Sequence, residues 1–193
     1  ISGTGKAVYL SNGTASVTFD SIASTSSTTE GIDLDNVGGT FTVTNATSIS
    51  SSVNSGLSIV NSTGTFTFNG LVDIDTTSSV GFSSNSGGTI NFNNGFTIDT
   101  ITGAGFNAIS STVSIGGVTS TINTVNSEPI NISNATVNGT IASVSATALN
   151  GQKGIDINNH SGSLTINGGT LTNTGSQQAI EIDGGSGAIS IGS

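Results

Sequence analysis

Four oxygen-bearing side chains fall at a spacing that could hold a divalent cation. Asp156 and Asn158 stand two residues apart, and Glu181 and Asp183 repeat that pair 25 residues on. A period of two puts both members of a pair on one face of a strand. Two carboxylates stacked on neighbouring strands repel unless a cation lies between them, and calcium takes oxygen ligands of this kind. The expectation is a calcium site at Asp156, Asn158, Glu181 and Asp183, weighed against a plain solvated acidic patch. Asp33/Asp35 and Asp73/Asp75 share the two-residue spacing but belong to different faces of different repeats. The glycine-rich calcium nonapeptide G-G-x-G-x-D is absent, because GGSGAISIG at 184–192 carries Ile where the Asp should stand.

Other chemistry is sparsely provided for. The chain has no Arg and no Cys, and its two lysines, Lys6 and Lys153, stand far apart. The sole histidine, His160, is expected in a solvated corner, and no Ser/His/Asp set can be defended from the spacing. Glycine-rich stretches read as corners, since a phosphate loop needs a Lys. No enzyme is expected. A net charge of −9 argues against nucleic acid, whose phosphates need cationic partners, and against docking on an anionic membrane. No apolar run approaches the ~18 residues of a spanning helix, so no membrane insertion is expected. Seven Asn-x-Ser/Thr sequons, at Asn12, Asn45, Asn61, Asn131, Asn134, Asn138 and Asn159, are what a chain this rich in Asn, Ser and Thr produces by accident.

Hydroxyls are the other recurring group. One column reads Ser16, Thr40, Thr65, Thr89, Thr112, Thr136, Ser163, Ala188, and a second, two residues on, reads Thr18, Thr42, Thr67, Asn91, Ser114, Asn138, Thr165, Ser190. Threonine and serine suit an exposed β face without further purpose. The same uncharged face could also pack against another rod or lie on a polysaccharide. The paired threonines further resemble the Thr-x-Thr faces of β-helical antifreeze proteins, although Asn91, Asn138, Ala188 and a varying corner length should interrupt the flatness that ice requires.

The elements that must carry these columns follow from an internal repeat. Val8, Ile32, Leu57, Phe82, Phe106, Ile130, Ile155 and Ile180 recur every 24 or 25 residues. Leu10, Leu34, Ile59, Ser84, Ala108, Ile132, Ile157 and Ile182 follow two residues later, which is strand periodicity. A second strand begins with Val17, Phe41, Phe66, Ile90, Val113, Val137, Leu164 and Ile189. It continues with Phe19, Val43, Phe68, Phe92, Ile115, Gly139, Ile166 and Ile191. The Gly- and Asn-rich corners between the two strands, such as NVGG (36–39) and NHSG (159–162), tolerate positive φ. A third, looser strand holds Ile49, Ile74, Ile98, Ile122 and Leu171, and loops such as ASTSSTTE (23–30) and TALNGQK (147–153) follow it.

Three short strands per repeat predict an all-β fold: a right-handed, three-sided parallel β-helix, or β-solenoid, of about eight coils. Coils ~4.8 Å apart make a rod of roughly 40 Å. An antiparallel sandwich is the alternative, but sandwiches do not repeat at a constant interval. Residues 1–193 read as one solenoid segment. The chain opens on Ile and shows no secretory leader, so a mature or excised piece of something larger is expected. Its last coil stops after the second strand, leaving apolar positions Val8 and Leu10 at one end and Ile180, Ile182, Ile189 and Ile191 at the other. The expectation is that the rod continues, or that copies stack end to end by adding strands.

GIDLDNVGGTFTVTNATSI (31–49), GLVDIDTTSSVGFSSNSGGTINFNNG (70–95) and GIDINNHSGSLTINGGTLTN (154–173) resemble the β-strand-repeat segments of very large bacterial secreted or surface proteins. The resemblance covers nearly the whole chain. It implies the solenoid architecture, a secreted or cell-surface location, and an adhesive or structural role in a layer or fibre. It brings no catalytic residues.

Overall fold

The computed structural model describes residues 1–172 and 175–192. Every described element is a β-strand, and every pairing between strands is parallel. The pairing realises the repeat. Val8, Ile32, Leu57, Phe82, Phe106, Ile130, Ile155 and Ile180 sit opposite one another in sequence, and the Leu10-to-Ile182 column runs beside them. Each coil therefore lies on the next with like residues in contact, as a solenoid of about eight turns.

The strands form two sheets rather than three. One has seven strands, from Ser2–Thr4 through Ile22–Thr25 and Thr47–Ser50 to Ser143–Ala146. The other joins both remaining strand positions, because Val8–Phe19 and Ile32–Val43 run unbroken through the corner that later coils make as a gap. Ile22–Thr25 is a third-position strand with Ile22 and Ser24 buried, although its serine-rich sequence reads as the start of a loop.

One residue per coil turns that first corner in the left-handed region: Asn12, Asn36, Asn61, Ser86, Ser110, Asn134, Asn159 and Gly184, with φ between 48° and 66°. Asn and Gly accept that conformation at least cost. The Asn36 amide donates to Asn12 Oδ1 at 2.9 Å, and the Asn159 amide to Asn134 Oδ1 at 2.7 Å. Four sequons, at Asn12, Asn61, Asn134 and Asn159, fall on this column. The corner needs Asn, and an outward hydroxyl follows two residues later, so the fold itself writes the motif.

Phenylalanines fill the middle coils. Phe41, Phe66, Phe68, Phe82, Phe92, Phe96 and Phe106 are fully buried. Their rings touch in a chain, with centroids 5.5 Å apart for Phe68–Phe92, 5.2 Å for Phe82–Phe92 and 5.0 Å for Phe82–Phe106. Ser84 interrupts the apolar column, but its hydroxyl lies 2.7 Å from that of Ser111. The Ser111 hydroxyl in turn donates to Ile109 O at 2.8 Å, so the buried pair is satisfied.

Three expectations need correction. The second-strand columns slip by two residues after the sixth coil. Thr136–Gly139 pairs with Thr112–Ile115, but on its other side Gly139 faces Leu164 and Ile141 faces Ile166. The cause is corner length. Five residues carry the chain from Ile132 to Val137, whereas seven carry it from Ile157 to Leu164. Gly139, seven residues past Ile132, is the true equivalent of Leu164. Leu171, likewise, bridges Ala146 rather than joining the isoleucines, whose column runs Ile49, Ile74, Ile98, Ile122, Val144. His160 is not solvated. It is 1% exposed, with Nε2 donating to Val137 O at 3.0 Å. Its backbone pairs with Gly185, and a Cβ on Gly187 would strike its ring. The long corner of the seventh coil turns inward, and glycines in the eighth leave room for the imidazole.

Candidate functional site

The four expected calcium ligands meet as the repeat requires: Asp156 lies opposite Glu181, and Asn158 opposite Asp183. A cation already stands between the first two. Lys153 Nζ is 2.8 Å from Asp156 Oδ2 and 3.1 Å from Glu181 Oε2, and these bonds raise its pKa. Asn158 and Asp183 stand exposed beside it. Among the described residues, no three acidic or histidine side chains converge on one point. Glu128, from the preceding coil, borders the same polar groove of about 340 Å³ with Gln152, Lys153 and Asp156. Its burial, and then the charge of Asp156, push its carboxyl up to about 7, against a smaller opposing pull from Lys153.

Lys6 does at the other end what Lys153 does here. It pairs with Asp33 at 2.7 Å and Glu30 at 2.9 Å and lies 4.6 Å from the Tyr9 ring centroid. Burial works to lower its pKa, but the two carboxylates outweigh it and the net shift is upward. The sequence does carry a signal for this role: Lys6 and Lys153 each stand two residues before the first inward residue of a coil, Val8 and Ile155. On the seven-stranded sheet Asp73 has no such cation. Burial, followed by the charges of Asp99 and Asp75, raises its pKa.

The hydroxyl face is more regular than its sequence suggests. Ser16, Thr40, Thr65, Thr89, Thr112 and Thr136 are paired one to one. With the register shift, the next member is Ser161, whose hydroxyl lies 2.6 Å from that of Thr136. Ser163 moves to the second column, where its backbone N–H donates to Asn138 Oδ1 at 3.0 Å. That column reads Thr18, Thr42, Thr67, Asn91, Ser114, Asn138, Ser163. Thr165 faces Thr140 and Ala188 faces Ser163, so Ala188 no longer interrupts the first column.

Thr40, Thr65 and Thr112 are exposed and Thr42 and Thr89 half-exposed. Elsewhere hydroxyls are put to structural use. Ser24 donates to Gly5 O, Ser27 to Glu30 O, Thr76 to Ser79 O, Thr100 to Gly103 O and Thr124 to Ser127 O. The last four each close a turn of three residues, and the Ser24 bond ties one coil to the next.

The two ends of the described chain differ. Val8 is buried and Leu10 half-buried, whereas Ile180, Ile182 and Ile191 are 43%, 48% and 37% exposed, and Ile189 is half-buried between them.

Comparison with protein-family models, characterised proteins and solved structures finds no match to this chain.

Proposed function

We propose that this protein is a non-catalytic, structural or adhesive β-solenoid that works outside the cell as part of a fibre, filament or surface layer. The supporting observation is the continuity of its columns: the same first-strand inward positions pair coil after coil, and the eighth coil presents Ile180 and Ile182 in that same register, with Ile191 beside them, all partly exposed. A further coil, from a continuing chain or from a second copy, would bury them as the inner coils are buried. Right-handed, three-sided winding belongs to this reading, because parallel crossovers favour that hand.

Electron microscopy of the 193-residue chain across concentration, with and without calcium, tests it. Filaments with an axial repeat of about 40 Å, eight coils at the strand spacing, are expected from end-to-end stacking. Single rods at every concentration would remove self-assembly and leave only the continuing chain.

A second reading makes the hydroxyl face a binding surface for a polysaccharide or for ice. The threonine hydroxyls that stand in register on this outward face favour it.

A further inference from the structure

We propose that the Ser16-to-Ser161 face binds an ordered water lattice, the surface of an ice crystal. This rests on the second reading above and names its ligand. Seven hydroxyl side chains follow one another without a break, and a second column of hydroxyls and amides runs two residues beside them. The array repeats at ~4.8 Å along the rod and at roughly 6.6 Å across it, twice the rise per residue. Threonine is stiff at χ1, so each methyl and hydroxyl keeps its place before any ligand arrives. Each hydroxyl can donate one hydrogen bond and accept more, and Thr40, Thr65 and Thr112 of the first column are exposed to solvent. Methyl groups between them restrict the first water shell. Together they hold water at a fixed repeat.

Other occupants fit less well. Neither column contains a charge or an aromatic ring, so a sugar ring would find no aromatic surface to lie on. A second copy packed sideways would gain too little. Seven coils of a face ~10 Å wide cover roughly 340 Å², well below the ~800 Å² per partner of a stable interface. Ice has no such size limit, because the lattice continues past the edge of the face.

The test is ice growth in a solution of the folded chain, followed by cooling-stage microscopy. Wild type should hold a crystal at a temperature gap between melting and growth, and should shape its facets. Thr65→Lys/Thr89→Lys, one exposed and one half-exposed outward change in the middle of the face, should lose the gap while keeping the wild-type β-sheet circular dichroism. Ser48→Lys/Thr121→Lys, on the outward side of the seven-stranded sheet, should keep it. Unrestrained ice growth in wild type would overturn the proposal, as would a gap that survives in the first variant or vanishes in the second. The same three proteins are mixed with insoluble cellulose and chitin. Retention there that depends on Thr65 and Thr89, with no effect on ice, would overturn ice while leaving the binding face standing. No retention and no effect on ice would remove both.

Discussion

At the scale of single residues, charge is scarce and closely used. Lys153 serves two carboxylates and lies near a third, Glu128, to which it makes no ion pair. A carboxyl raised from its ordinary value to about 7 favours the protonated form in the fold. Stability is then greatest below the ordinary carboxylate range, falls as pH rises from about 4.5 toward 7, and is flat above. Urea unfolding at pH 5 and pH 8 is expected to show that fall in wild type and a smaller one in Glu128→Gln. An identical fall in both would mean that other groups set it. The calcium site expected from the sequence is tested at the same place. A divalent ion at Asp156 and Glu181 has to displace the Lys153 ammonium, so calorimetry should find tighter calcium binding in Lys153→Gln than in wild type. Binding unaffected by Asp156→Asn/Asp183→Asn would remove that site.

At the scale of the strand, register decides which residues face out together. The Gly- and Asn-rich corners are readable in the sequence, and so are the two columns of the first strand, but that Ser86 and Ser110 share the left-handed corner position with the asparagines is not. The shift at Gly139 is not. It arises because corners of five and seven residues meet in adjacent coils, and pairing follows the path length around the coil rather than likeness of side chains. Gly139 takes a φ of 129° and packs against the Ile115 backbone and side chain. Gly139→Val is therefore expected to cost about 1–3 kcal/mol from backbone strain, plus the displacement of Ile115. Thermal unfolding checks the loss, and an unchanged midpoint would mean that the shift has another support.

At the scale of the whole molecule, every coil touches only its neighbours, so stability is local and additive along the rod. The coils packed with Phe82, Phe92, Phe96 and Phe106 should be the most protected. Hydrogen exchange should be slowest at amides such as Phe82, bonded to Gly105 O at 2.9 Å, and Phe106, bonded to Pro129 O at 2.8 Å. It should be fastest from Ile180 to Ile191, where the apolar side chains are open. Uniform exchange along the chain would show that the rod opens as one unit.

The sequence by itself determined the solenoid, its parallel strands, its eight turns and the first-strand columns. A repeat of 24 or 25 residues with alternating apolar positions leaves stacked coils as the way to bury them all. It also placed Asp156 opposite Glu181 and Asn158 opposite Asp183, because first-strand register is constant. Only the tertiary structure decided that Lys153 stands between two of those acids, since a side chain's reach is not a spacing. Only it decided that His160 turns inward, because that depends on glycines one coil away. And only it decided that Ser161, not Ser163, continues the threonine column, because the length of two corners had to be compared in space.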